Sequence, residues 1–447
     1  SMLMHCLSAG RAISLPSQGV AGGKLATMMT GAYSRIRYQF KQPIGYFEGI
    51  EEPLARIGGE AYRMEAAHKI TLTALDNGHK PVVLSAILKA YLTEANRRVV
   101  IDAMDVHGGK AVVEGPGNYL SIGYQALPVS ITVEGANILT RSMIVFGQGA
   151  IRCHPYLLKE MMAAQENDVV GFDAALWGHA GFLISNTVRA PILGLTGGRL
   201  SLSPVSGPTA RYYRRINRLS SAFTLTADLC LLILGGKFKF AEKLSGRFAD
   251  ALAHLYMAST SLRRYEDDGR PAEDLDVMRY AVEDSLHQVE EALHGVFRNF
   301  PIAPLGPLLR LLCFPLGRRH KVSDDRAGHR IARQLMEKSP TRERLIAGTY
   351  MSKTDDGTGI VLQAFDAVLK AEPAEHAIRN AFKAVPSPVN VDALAKKAME
   401  AGVITEDQAA DLRRAQQLSN RVIAVDEFTP EELAGQQSSQ QPLAAAG

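Results

Sequence analysis

Apolar residues recur at helical spacing through three long stretches, Gly19 to Ile36, Pro53 to Leu75 and Pro81 to Val106. No other feature constrains the fold as much, because a face that returns every three to four residues over many turns is buried only against other helices. Together with a helix expected after Glu134, these stretches predict an antiparallel four-helix bundle and an all-α chain. Strand patterning is weak; Val129 to Val133, rich in β-branched residues, reads as one short extended run. With 447 residues the chain exceeds what a single core usually supports. The expected division is a helical domain over 1–154, a second helical domain over 155–428, and a tail over 429–447 whose Gln/Ser run has too little apolar content to fold.

Charge narrows the partners. Fifty basic residues against 46 acidic ones, interspersed, give a net charge of +4, which does not call for nucleic acid. Cys6, Cys153, Cys230 and Cys313 are far apart and form no Cys-x-x-Cys pair. This spacing argues against disulfides and a metal site and for a reducing compartment, so the expected location is cytoplasmic, with peripheral contact to the inner membrane as a further reading. The longest apolar run, Leu229 to Gly236, is shorter than the roughly 20 residues a bilayer requires, so a spanning segment is not expected.

The candidate for chemistry is Glu134, in Ile131-Thr132-Val133-Glu134-Gly135-Ala136-Asn137. A carboxylate at a helix entrance is favoured by the exposed amides there, and the apolar approach limits its hydration, as a general base requires. Read from these residues alone, an ordinary acidic residue near an N-cap is the more frequent outcome. The histidines offer no rival: His107 reads as structural at a helix end, and His154 has no acid near it in sequence. Ser85, Ser142 and Ser185 lack a nucleophile-elbow setting.

Motifs in order along the first third change that balance. Leu7-Ser8-Ala9-Gly10-Arg11, Tyr33-Ser34-Arg35-Ile36-Arg37-Tyr38-Gln39-Phe40, Leu54-Ala55-Arg56-Ile57, Ser85-Ala86-Ile87-Leu88-Lys89 and Asp102-Ala103-Met104-Asp105-Val106-His107-Gly108-Gly109 precede the Glu-Gly pair, and Thr140 to Pro155 continue it. As a set they resemble the C-terminal helical domain of the acyl-CoA dehydrogenases, and most nearly the long bacterial type that acts in fatty-acid β-oxidation. The resemblance implies FAD-dependent α,β-dehydrogenation of a medium- to long-chain fatty acyl-CoA to the trans-2-enoyl-CoA, with electron-transferring flavoprotein as electron acceptor and at least a homodimer. Carried over by position, Glu134 matches the base and Gly135 the small residue beside it. Arg37, Phe40, Gly108 and Gly109 match residues that reach the FAD of a neighbouring subunit, and Arg11 a helix-start arginine near substrate. Some branches place the base just before that arginine, where this chain has Gly10, which cannot act as one.

Three departures qualify the carry-over. Asp105 stands where the family has glutamine, so only the glycines of that segment are carried over. The stretch from Gly109 to Glu134 is longer than usual and holds the turn cluster Glu114 to Tyr119, and Gln125-Ala126 replaces an Arg-Asp pair. The resemblance also begins inside the family's last domain, so the chain is expected to be a fragment without the N-terminal helical and β-barrel domains, and its activity in isolation stays open. An acyl-CoA oxidase and a non-catalytic helical assembly or membrane-docking module remain the alternatives.

Beyond Pro155 the pattern predicts helices over 156–188 (two), 207–234, 243–265, 272–300, 324–338, 359–371, 390–401 and 405–417. Two segments invite a second reading. Pro301 to Leu316 followed by Arg318-Arg319-His320-Lys321 suits an interfacial membrane contact, although a buried helix with a solvated basic end is twice as common an outcome for such runs. Arg211-Tyr212-Tyr213-Arg214-Arg215-Ile216-Asn217-Arg218 suits CoA phosphates or an anionic headgroup, against the commoner solvated helix face.

Overall fold

The computed structural model describes residues 2–387 and 389–430, and the side chains of 2–9, 148, 152 and 153 are not among those described. The expected unfolded tail over 429–447 falls, from 431 on, outside the described residues. Three long helices open the chain: α1 (Met2–Ile36), α2 (Glu48–Asp76) and α3 (Val82–His107). A two-residue hairpin, β1 (Tyr38–Gln39) and β2 (Gln42–Pro43), joins α1 to α2.

Direction follows from the cross-contacts. Lys24 pairs with Glu65 and Ser17 with His68, so α1 and α2 are antiparallel. Arg56 holds Asp102 through two hydrogen bonds of 3.0 and 2.7 Å, and Arg98 meets Glu60, so α2 and α3 are antiparallel as well. The motif residues Arg56 and Asp102 thus meet as a bidentate pair across the bundle.

After α3 come α4 (Gly109–Val112), α5 (Ser121–Thr132), α6 (Asn137–Leu139), a π-helical stretch (Thr140–Gln148) and α7 (Gly149–Cys153). This last run is the fourth member of the bundle. Asn137 touches Thr93 while Gly149 lies against Val83, so it descends antiparallel to α3.

One local expectation is corrected here. Val129 to Val133 is not extended: α5 runs through Thr132, and only its C-cap, Val133, has β geometry. Leu127 and Ser130 are buried as α5 packs on α3, and that packing overrides both the β-branched composition and Pro128 inside the helix.

The second half contains α8 (Leu157–Glu166), α9 (Val169–Thr196), α10 (Ala210–Leu234), α11 (Glu242–Asp267), α12 (Leu275–Arg298), α13 (Leu305–Cys313), α14 (Asp325–Leu335), α15 (Pro340–Ile346), α16 (Gly357–Phe382), α17 (Val391–Glu400) and α18 (Glu406–Ile423). It encloses the bundle from two sides: α11, α12 and α14 pack on α2, while α16 packs on the C-terminal half of α1. The π-helical stretch is anchored through Phe146, which stacks on Phe248 at 4.8 Å and meets Phe223 edge-on.

Membrane-related readings also change in detail. α10 with the 3-10 turn after it, Ala210–Phe240, has the length and mean hydropathy (1.6) to cross a bilayer, which the short run Leu229 to Gly236 did not suggest. Four arginines in its first turns, a buried Asp228 and packing against α9, α11 and α12 make it a core helix. α13 buries Leu309 and Cys313 but leaves Leu308 and Leu311 exposed, and Arg318 beyond it pairs with Glu291.

Candidate active site

Glu134 sits in the four-residue link between α5 and α6, with its backbone in the left-handed region (φ 54°), and Gly135 follows at φ 95°. Two successive positive-φ residues turn the chain sharply, and the glycine makes the second one inexpensive. The Glu134 side chain is half-buried, and its Oε2 is sealed from solvent without a hydrogen-bond partner. Val133 is 41% exposed, so the apolar approach alone does not enclose the carboxylate, and two cations from elsewhere in the chain lie beside the link.

The first is Lys89, on α3. Its ammonium is fully buried and donates to Ile131 O (3.0 Å), Gly135 O (2.7 Å) and Asn137 Oδ1 (2.7 Å). Those three bonds fasten both ends of the link. Asn137 in turn donates through Nδ2 to Ala90 O, Thr93 Oγ1 and Glu94 Oε1, and Thr140 Oγ1 donates to Gly135 O. Burial and the neighbouring Arg11 push the Lys89 ammonium down to about 8, while Glu134 and Glu94 act in the opposite direction.

The second cation is Arg11. Its Nη2 lies 3.7 Å from where a Cβ on Gly135 would stand, and its Nε is buried without a partner. The structure therefore brings Arg11, Glu134 and Gly135 together, as the sequence expects, and adds Lys89 and Asn137, which sequence reasoning missed. A signal existed for Lys89: it stands among Ala86, Ile87, Leu88, Ala90 and Leu92 as the lone charged residue in the first three turns of α3, and such a lysine needs buried acceptors. A cleft of about 740 Å³ between α3, α11 and α12 reaches α6 at Asn137 and Ile138, next to the link, although Glu134 does not line it.

The other expected site residues lie at the far end of α1. Arg37 follows its C-terminus and donates to Tyr33 OH (2.7 Å). Tyr33 stacks on His107 at 4.1 Å and donates to His107 O. Gly108 (φ 59°) and Gly109 follow His107, exposed and with no atom within 4 Å of a Cβ built on either. Arg37, Gly108 and Gly109 are thus one locus. Phe40, at the hairpin tip, is 88% exposed and touches Phe47 edge-on. His107 is structural: its ring bonds Ala103 O and Tyr119 OH, and burial holds it down to about 4.

Along a straight helix the 26 positions from Arg11 to Arg37 span about 39 Å, so the two loci of one chain do not face the same small molecule.

His154 needs a correction. The acid absent from its sequence neighbourhood comes from α10: Asp228 Oδ1 accepts from Nε2 at 3.0 Å. His179 is adjacent and bonds Glu160 Oε1. One ligand atom each from His154, His179 and Asp228 lie within 4.8 Å of one another. However, His154 Nδ1 accepts backbone N–H groups of Tyr156 and Leu157, which leaves the proton on Nε2, opposite to the arrangement of a metal-bound imidazole. Cys230 and Cys313 are free, and burial pushes both thiols up to about 12, leaving them unreactive at neutral pH.

Comparison with known families identifies the fold. Residues 151–428 match the family described as acyl-CoA dehydrogenase, C-terminal, bacterial type, and residues 2–146 match the acyl-CoA dehydrogenase C-terminal domain. The chain belongs to the acyl-CoA dehydrogenase family. Its fold is similar to that of an acyl-CoA dehydrogenase from Bacillus anthracis solved in complex with FAD, at 16% identity and a TM-score of 0.59, over 74% of this chain and 56% of that one. Acyl-CoA oxidase-1 of Caenorhabditis elegans, solved with FAD and ATP, aligns at 13% identity with a TM-score of 0.48, over 88% of this chain and 57% of that one. Acyl-CoA oxidase 1 of Arabidopsis thaliana gives 14%, 0.47, 88% and 57%. The chain spans a little over half the length of these structures.

Proposed function

We propose that this chain carries the base-bearing half of an FAD-dependent acyl-CoA dehydrogenase acting on medium- to long-chain fatty acyl-CoA, in fatty-acid β-oxidation. In this reading residues 1–154 form the base-bearing domain and 155–428 its extension, with electron-transferring flavoprotein as acceptor and a cytoplasmic location. The observation that carries it is the unpartnered Oε2 of Glu134 on a strained link near Arg11 and Lys89.

The α-C–H beside a thioester is a very weak acid, so its removal requires a base fixed at a stated place and charge stabilisation as the enolate forms. Glu134 would take that proton on its carboxylate. Lys89 keeps the carboxylate in place by fixing the backbone on either side of it. Arg11, with an unused Nε, would supply positive potential as negative charge grows on the substrate.

The residues present fit the flavin. The open backbone at Gly108 and Gly109 admits close approach, and Arg37 offers a guanidinium for phosphate. When bound, FAD supplies the acceptor for the Cβ hydride.

The test is oxidation of octanoyl-CoA and palmitoyl-CoA by the FAD-loaded whole enzyme in which this chain is joined to the other half. Glu134→Gln is expected to lower the rate by about 10²- to 10⁴-fold, and an unchanged rate would favour the non-catalytic helical module. Hydrogen peroxide released during turnover would assign an oxidase instead.

A further inference from the structure

A cavity of about 820 Å³ lies between the C-terminal end of α9, the start of α10 and the segment after α13. Six arginines line it: Arg199, Arg211, Arg214, Arg215, Arg218 and Arg319. Four of them follow the spacing i, i+3, i+4, i+7 along α10, which places them on one face of the helix. They occupy its first turns, where the helix dipole adds to the positive potential. The α9–α10 turn is pressed onto this stripe: a Cβ on Gly198 would stand 2.5 Å from Arg214 O, and one on Gly197 would stand 3.7 Å from Arg319 Nη1.

What distinguishes this cavity from a solvated basic face is that its arginines are met by rings and neutral groups and not by carboxylates: Arg211 and Arg215 lie over the Tyr212 ring, and Arg218 lies over Phe314 with its Nη1 3.4 Å from His320 Nε2. Among the described residues none of the six forms an ion pair with a carboxylate, whereas neighbours such as Arg263, Arg270 and Arg318 do. Arg218 is 2% exposed, yet its Nε and Nη2 have no partner, and Arg214 Nε is likewise buried and unpartnered. Glu290 favours the Arg218 charge from a distance but forms no ion pair with it, because its oxygens accept the backbone N–H groups of Arg319 and His320. Burying an unpaired guanidinium is costly. Repulsion among its neighbours adds to that cost, and a multiply charged anion would offset both.

We infer that this cavity is a binding site for a phosphorylated anion, separate from the Glu134 site and independent of the dehydrogenation reading. Guanidinium groups match phosphate oxygens through paired N–H donors, and several at once favour a ligand bearing more than one negative charge. Leu195, Leu200 and Leu316 also line the cavity, and Leu195 and Leu200 are more than half exposed. The phosphate could therefore belong to a soluble ester or to a lipid headgroup whose chains lie over that rim.

Calorimetric titration of the whole chain with inorganic pyrophosphate tests the site. Saturable binding is expected, weakening as salt rises and falling about tenfold in Arg218→Gln, with Lys396→Gln on α17 as a remote control that leaves it unchanged. Because Arg218 is buried, the exposed pair Arg199→Gln and Arg319→Gln provides a second reading that does not depend on the core, and it should weaken binding several-fold.

Co-sedimentation with phosphatidylcholine vesicles containing phosphatidic acid separates the two sources. Sedimentation that pyrophosphate reverses identifies a headgroup, and pyrophosphate binding without sedimentation identifies a soluble phosphate ester. Absence of saturable binding in both arms, or binding equally strong in the arginine variants, would overturn the assignment.

Discussion

At Glu134 the backbone itself is part of the arrangement. A glutamate at φ 54° costs on the order of 1 kcal/mol relative to a glycine there, and nothing in the packing of the link requires a carboxylate. Glu134→Gly is therefore expected to raise stability by about 1 kcal/mol while removing the proposed base, whereas Glu134→Ala removes the base without relieving the strain. Urea unfolding of both variants checks this, and equal stability would show that the link is not strained. Lys89 carries the opposite expectation. Lys89→Met would remove the Lys89 donor from Ile131 O, Gly135 O and Asn137 Oδ1, leaving Gly135 O only Thr140 Oγ1, costing about 3 kcal/mol and loosening the link, visible as faster amide exchange at Gly135 and Asn137. The sequence makes the pair Glu134-Gly135 legible because strain and chemistry sit on adjacent residues. It hides Lys89, and it gives Arg11 only through the family resemblance, because their meeting depends on α1 and α3 lying side by side, a relation between residues 78 positions apart in the chain.

Among the elements, the closeness of α1 to its neighbours is set by small residues, and this too can be tested by single substitutions. A Cβ on Gly31 would stand 2.3 Å from Leu335 O, a backbone atom at the end of α14 that cannot turn aside. Gly31→Ala should therefore destabilise by about 2 kcal/mol despite alanine's higher helix propensity. Gly109→Ala meets nothing within 4 Å and should leave the melting temperature unchanged, so any loss of bound FAD in that variant would report cofactor contact and not folding. Periodicity makes α1, α2 and α3 legible because each buries one continuous face. It fails for α5, where the β-branched Val129, Ile131 and Thr132 together with Pro128 favour extension locally, and packing on α3 decides otherwise. It also gives no hint of π-helical winding from Thr140 to Gln148 directly after the base; wider helical turns of this kind recur at functional sites, and no composition rule announces them. α16 is likewise longer than expected, since it continues through Pro373 to Phe382.

For the molecule as a whole, buried histidines set the response to acid. Burial holds His107 and His294 down to about 4, and His254 and His320 down to about 3. Unfolded, each titrates near 6.5, so between that pH and the folded values the unfolded chain binds more protons. Stability is then fully present above about pH 6.5 and falls as the pH drops, by up to about 1.4 kcal/mol per pH unit for each histidine. Urea midpoints measured from pH 7 to pH 5 should decline accordingly, and His254→Phe should make the decline shallower by one proton; an unchanged slope would mean that His254 is protonated in the folded state. Glu134 and Arg37 mark loci about 39 Å apart along α1, so if both serve FAD-dependent chemistry, each active site takes its base from one subunit and its Arg37 from another. Subunits carrying Glu134→Gln mixed with subunits carrying Arg37→Ala test this. Every homodimer in the mixture would be inactive, but each mixed dimer would hold one site with both native residues, contributed by different chains. Random reassortment then predicts recovery to about a quarter of the native rate per subunit in a dimer. If each chain instead supplied both residues to its own site, no pairing could restore an intact one, and the mixture would stay as inactive as its parents.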